Sequence, residues 1–305
     1  MNDRLSFTDI LTYGFRTLFW RPIHAAIYIG FWSLVLFAYY SWAQSDGALA
    51  YFESYAQSTV DVMQGNFAAY LAFVGQWMVI GLGIGAVYYA GAYRIMVRED
   101  PKPWLPVQIG LDELRMIGLF FVMIVFGLAF FLVAGLAFGL LAIVVTLLTS
   151  ALFGGVEAGA GAAFAGLISV LAALCIYVVG FWAMGRFAVS IPLSIKQRRF
   201  SLGGWRASAG KGWSLFFAHL LIYLGIIAIQ LLLTWELMSA SFQQGMGPGY
   251  AIPPEELAQR MANPFGVWLI IAAPIQMLMA MLMLGPTAAI AAQADASGEN
   301  EPGSV

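Results

Sequence analysis

Charge is what this chain of 305 residues has least of. It carries 14 Lys/Arg and 16 Asp/Glu, ten per cent of the sequence and a formal net charge of −2, where soluble domains carry roughly a quarter. So sparse and balanced a set offers nothing to a polyanion, which sets nucleic acid aside as a partner. The single cysteine, Cys175, cannot close an internal disulfide and leaves the redox compartment unread. Two histidines, with no cysteine partner and no inward carboxylate, are too few for a metal site. The phosphate-cradling P-loop, His-Glu-x-x-His and Gly-x-Ser-x-Gly patterns are all missing. No catalytic residue, metal ligand or cofactor is therefore nominated. A compact charged, apolar, small-residue leader is missing too, so the first apolar run is expected to stay in the mature protein.

What the chain has instead is apolar length. Sixty-one per cent of its residues are hydrophobic, in runs that reach the roughly 20 residues needed to cross a bilayer. The pattern predicts an all-α integral membrane fold with six spans, at about 24–43, 67–96, 116–149, 165–191, 214–239 and 265–292. Short amphipathic helices lying in the interface are expected at 6–20, 107–115 and 201–212. The first opens with a capping box, Ser6-Phe7-Thr8-Asp9, and ends at Trp20-Arg21-Pro22; the competing reading makes it an extension of the first span. Gly81-x-Gly83-x-Gly85 in the second span is expected to let another helix approach closely. The third run is about 51 Å long at ~1.5 Å per residue, well beyond a core of roughly 30 Å. A break near Gly135 and Gly139 would leave backbone groups unsatisfied in lipid, so one long helix is preferred. The acidic tail 293–305 is expected to be disordered.

Charge placement tests the partition. Residues 44–66 hold no Lys or Arg, and with six spans every Lys and Arg except Arg260 falls on one side. The positive-inside rule makes that side cytoplasmic, with both termini on it. The densest basic stretch lies within 184–225. There Arg186, Lys196, Arg198, Arg199, Arg206 and Lys211, interleaved with Trp205 and Trp213, separate two apolar runs, as a membrane–water interface selects.

At an offset of 195 this stretch matches the start of the chain. Arg4-Leu5-Ser6 meets Arg199-Phe200-Ser201, and His24 with Tyr28 meets His219 with Tyr223. We read three tandem units of interfacial helix plus hairpin, the middle one most diverged, although apolar low-complexity sequence also produces such matches. Arg186-Phe-Ala-Val-Ser-Ile-Pro192 and Ser201-Leu-Gly-Gly-Trp-Arg-Ala-Ser208-Ala-Gly-Lys-Gly-Trp213 resemble two bacterial six-helix families. These are the membrane domain of glycerophosphodiester phosphodiesterases and the YciC-like inner-membrane proteins. The resemblance covers some 40 residues and implies a six-helix membrane domain of a bacterial inner membrane. The barrel domain that carries phosphodiesterase chemistry has no counterpart in the sequence, so that activity is not carried over.

Three sets of residues could do more than build spans. Arg198, Arg199, Arg206 and Lys211, with Trp205 and Trp213, could bind anionic phospholipid headgroups or a protein partner; the bland alternative is topology alone. His24 and Tyr28, like His219 and Tyr223, are four apart and share a helix face. They could pair as a buried polar centre, or simply anchor their helices at the interface. Gln76, Gln230 and Gln276 could line a cavity or make interhelical hydrogen bonds. The reading that follows is a bacterial inner-membrane scaffold or lipid-handling protein, with membrane phospholipids, a second copy or another envelope protein as partner. A transporter or flippase with a cavity between repeats, and a membrane enzyme of lipid metabolism, are the alternatives. The topology has a direct check. In a Cys175→Ser background, Ser45→Cys should react with an impermeant maleimide on intact cells, whereas Ala209→Cys should react only after permeabilisation.

Overall fold

A computed structural model of the chain describes residues 5–43, 45–48, 50, 51, 53, 54, 67–99, 107–153, 159–233 and 269–294. The described residues are helices and short connections, with no strand among them. In order they are α1 (Phe7–Trp20), α2 (Pro22–Ala43), α3 (Ala68–Val97), α4 (Leu111–Phe153), α5 (Gly159–Ala188), α6 (Ser190–Gln197), α7 (Gly204–Ala207), α8 (Gly212–Leu233) and α9 (Leu269–Ala294). Six helices are long and apolar enough to cross a membrane: α2, α3, α4, α5 running on into α6, α8 and α9. The six-helix, all-α membrane architecture stands.

The local signals explain most boundaries. At α1 the Ser6 hydroxyl accepts from the Asp9 amide at 3.1 Å, and the Asp9 carboxylate accepts from the Ser6 amide at 3.2 Å, a complete capping box. Proline disfavours helical backbone in the residue before it, and Arg21, ahead of Pro22, sits at φ −136°, ψ 54°. So α1 is separate from α2 and does not extend it. Its apolar surface is divided, however. Ile10, Gly14 and Thr17 are buried where α1 packs on α9, while Phe15, Phe19 and Trp20 face outward. A helix with its whole apolar face in lipid is thereby corrected to one seated on the bundle.

The other two interfacial helices are corrected as well. Residues 107–110 are not helical, and 111–115 are the first turns of α4. Glu113 accepts from the Gly110 amide at 2.8 Å, and Asp112 and Glu113 sit in the first turn, where the helix dipole favours negative charge. The helix then runs 43 residues through Gly135 and Gly139 without a break, about 65 Å at ~1.5 Å per residue. Within 201–211 only the single turn α7 is helical, and Gly212 already opens α8. Gly203, Gly204, Gly210 and Gly212 weaken helix there, Gly210 has a positive φ of 72°, and a side chain at Gly204 would collide with the Ser190 backbone.

The fourth span divides at its end. Pro192 supplies no amide for the carbonyl of Ala188, and α5 stops at Ala188 with α6 following at Ser190. Residues 234–239 and 265–268 of the last two predicted spans, and the tail after Ala294, lie outside the described residues. Gly81 and Gly83 have nothing within 4 Å of an added Cβ. The close approach expected there occurs instead at Gly14 and Gly285.

Helix α9 is the central post. Over half of its most apolar stretch is buried (56%), against at most 17% in the other five spans. It packs on α1, α2, α3, α6 and α8. At its crossing with α1, a Cβ on Gly285 would lie 2.6 Å from the Gly14 nitrogen. Helices α4 and α5 pack on each other, and the outward residues of 125–148 are exposed and apolar. Burial is concentrated at the end that holds the arginines: 86–97 of α3, 112–119 of α4, all of 190–195 and 279–291 of α9. The opposite end holds Tyr51, stacked near Phe73 and Trp77, so Tyr51 and 196–211 lie at opposite ends of the bundle. Overpacking costs about 1–3 kcal/mol. Gly285→Val should therefore lower the thermal midpoint of the detergent-solubilised protein by separating α1 from α9, while Gly81→Ala should leave it within the scatter of wild type.

Candidate functional site

At the basic end, helices α3, α6 and α9 all finish close together. Each ends in carbonyls that have no partner within the helix. Arg21 donates to the Ile95 carbonyl of α3 at 2.6 Å, beside Tyr13, whose hydroxyl donates to Met96 at 2.9 Å. Arg98, just past α3, donates to the Ile195 carbonyl of α6 through Nε at 3.1 Å and Nη2 at 2.9 Å. Lys196, on α6, donates to the Ala292 carbonyl of α9 at 2.6 Å and to Ala291 at 3.3 Å. Each cation caps another helix's C-terminus, where positive charge is favoured.

Beside this relay lies a buried ionic cluster that sequence reading missed. Arg94 pairs with Glu113 at 2.7 Å and Asp112 at 3.3 Å, and Asp112 also takes Arg98 at 2.8 Å and Arg115 at 2.7 Å. Arg94 is 7% exposed, Asp112 8% and Glu113 4%, too dry for screening to weaken the pairs as at a surface. A signal was available. Arg94 and Arg98 are four apart on one helix face, and Asp112-Glu113 opens the next apolar run. A cavity of about 460 Å³ lies against this cluster, with Arg198 on its wall.

The basic stretch singled out earlier divides by what each residue touches. The Arg186 guanidinium lies 4.0 Å from the Trp205 ring centroid and 5.0 Å from that of Trp182. It also donates to the Trp205 carbonyl at 2.8 Å and the Ser208 hydroxyl at 3.1 Å. Trp205 is thus part of a cation–π sandwich, and Trp213 adjoins it through Trp182. Arg199 donates to Gln197 at 3.1 Å, and Arg206 is exposed. Partial burial holds the Lys211 ammonium below the usual lysine range. These cations do not converge on one headgroup site; Arg198 alone among them turns toward the arginine cluster.

The polar candidates within the spans separate too. His219, Tyr223, Gln230 and Gln276 line one cavity of about 550 Å³. Tyr93 and Thr287, 2.9 Å apart through their hydroxyls, line it too, and Met116, Phe120, Met279 and Met283 supply apolar wall. The space is left because α4 packs on α3, α5 and α6 while α8 packs on α1, α5 and α9. Ala188 and Ile191 line it as well, from the junction of α5 and α6. His219 Nδ1 lies 2.9 Å from the Leu215 carbonyl; a carbonyl only accepts, so Nδ1 carries the proton and Nε2 of the neutral ring is left as an acceptor. His24 and Tyr28 are elsewhere. Tyr28 is buried beside Trp32 and Tyr88 and donates to the Tyr88 carbonyl. Gln76 is at the far end of α3, accepting from the Tyr51 hydroxyl at 3.0 Å.

Chemically, the cavity offers neutral donors and acceptors on an apolar wall. Among the described residues, its lining holds one imidazole, with no carboxylate and no thiol. Among the described residues no three His, Cys, Asp or Glu side chains gather as a metal site.

The fold and these sites define a multi-pass, all-helical membrane protein. Comparison with family models, curated proteins and solved structures finds no match for the chain. Removing one partner of a buried ion pair costs about 3–5 kcal/mol. Arg94→Met should therefore destabilise the purified protein strongly in thermal unfolding, and Arg94→Met with Glu113→Leu should recover much of the loss.

Proposed function

We propose that the chain is a lipid-handling protein of a bacterial inner membrane, with its basic end cytoplasmic and an amphiphile held between α4 and α8. The carrying observation is the 550 Å³ cavity on which His219, Tyr223, Gln230 and Gln276 converge. Pockets of this size with mostly apolar walls and a few placed polar groups suit a ligand with an apolar body and a polar handle. His219 and Gln230 are 11 residues apart on α8, about 16 Å along the axis. The polar groups are therefore spread lengthwise, as a phospholipid's glycerol and upper chains would need. The positive-inside rule supports the cytoplasmic assignment, and the resemblance of 186–213 to bacterial six-helix families supports the membrane.

A transporter would use the same cavity, but α6 on its wall is tied down. Ser190 accepts from the Gly204 amide at 3.1 Å, Ser194 bonds Ser201 at 2.9 and 3.1 Å, and Arg98 and Lys196 join α6 to α3 and α9. Elements tied together in this way favour holding over passage. Native mass spectrometry of the protein purified in mild detergent tests this. Wild type should retain phospholipid, and Ala280→Trp, which fills the cavity, should lower the retained fraction several-fold at unchanged thermal stability. Equal retention in the two proteins would refute the assignment.

A further inference from the structure

A second cavity, distinct from the one proposed to hold lipid chains, lies at the basic end. Its wall carries Arg94, Arg98, Arg115 and Arg198 with Asp112 and Glu113. Among the described lining residues, four guanidinium groups against two carboxylates leave an excess of two positive charges. Three observations set it apart from a closed structural network. Arg94 lines the cavity, is 7% exposed, and among the described residues its Nη2 has no hydrogen-bond partner; buried polar groups are ordinarily satisfied. Arg198 is the one non-glycine residue with positive φ among those described, at φ 54°, ψ 27°. Glycine fills that helix-ending conformation at lower cost, and the end of α6 is already capped by Arg98. The arginine at this position places its side chain on the cavity wall. Finally, the Arg98 guanidinium is pulled below the usual arginine range, first by burial and further by the like charges of Arg198 and Arg94, against the pull of Asp112.

We propose that this cavity binds a phosphate group, with Arg198 and the unpartnered Nη2 of Arg94 as the principal contacts. Guanidinium forks match phosphate oxygens two at a time, and about 460 Å³ accommodates a phosphorylated headgroup or a small soluble phosphate ester. The full-length protein in phosphatidylcholine nanodiscs distinguishes these sources. In one arm, inorganic phosphate and glycerol 3-phosphate are titrated while the thermal midpoint is followed, with potassium chloride at matched ionic strength as control. In the other, nanodiscs containing phosphatidylglycerol replace them. A saturable rise in the first arm identifies a soluble ester as ligand, and a rise confined to the second identifies a lipid headgroup; either supports the site.

Arg198→Gly relieves the backbone and removes the side chain, so its unliganded midpoint should be no lower than wild type. Its stabilisation by the effective ligand should be weaker by roughly tenfold or more, the scale of one charged hydrogen bond. Arg199→Gln, an exposed neighbour, should behave as wild type. No rise in either arm, a rise matched by potassium chloride, or undiminished binding in both Arg198→Gly and Arg198→Gln would overturn the proposal. Because the readout does not depend on lipid retained by Ala280→Trp, the two sites fail or stand separately.

Discussion

The structure depends on how the basic end disposes of helix carbonyls. Backbone oxygens at a helix terminus must find a donor, and little water reaches them inside a packed membrane bundle. Here the donors are the scarce cations, used in sequence. Arg21 holds the end of α3, Arg98 beyond α3 holds the end of α6, and Lys196 on α6 holds the end of α9. Helices meeting in this way cannot shift independently, because moving one uncovers the end of the next. This accounts for burial being concentrated at that end. Several of the cations crowded at this end thus also hold the fold together.

Helix α6 is where the two sites meet. It is eight residues long, with residues 190–195 all buried, and it exists as a separate element because Pro192 interrupts the span above it. Its Ile191 lines the cavity that His219 also lines. Its lower end presents the Ile195 carbonyl to Arg98, and the residue that terminates it is Arg198. A group bound at the arginine cavity would act on the same helix that lines the apolar one. The glycine-rich turn after α6 is fitted to it, with Gly204 against Ser190 and Ser201 bonded to Ser194.

Much of the fold was legible because its determinants are local. Apolar runs of bilayer length, the Ser6–Asp9 capping box, and Pro22 and Pro192 as interruptions are all properties of neighbouring residues. The helix expected at 201–212 failed because glycine-rich sequence between two spans needs a tertiary partner, here Ser190, to fix its shape. The one expected at 107–115 failed because Gly110, capped by Glu113, starts the long helix at once. Among site residues, His219, Tyr223, Gln230 and Gln276 were visible as polar groups in apolar spans. His24 and Tyr28, matched in sequence to His219 and Tyr223 at the offset of 195, do not line that cavity. The acidic pair Asp112 and Glu113 passed unnoticed because charge near a span's end looks like solvated interface until something covers it.

By itself the sequence determined the class of protein and its spans, since a bilayer reads hydrophobic length and charge sidedness residue by residue. Tertiary structure alone decided which cations are spent on capping and which line a cavity, and which polar residues share a space. Those outcomes turn on how helices distant in the chain are packed. The bare contact of Gly14 on Gly285 and the gap between α4 and α8 have no local signature, because both are made by pairs of surfaces.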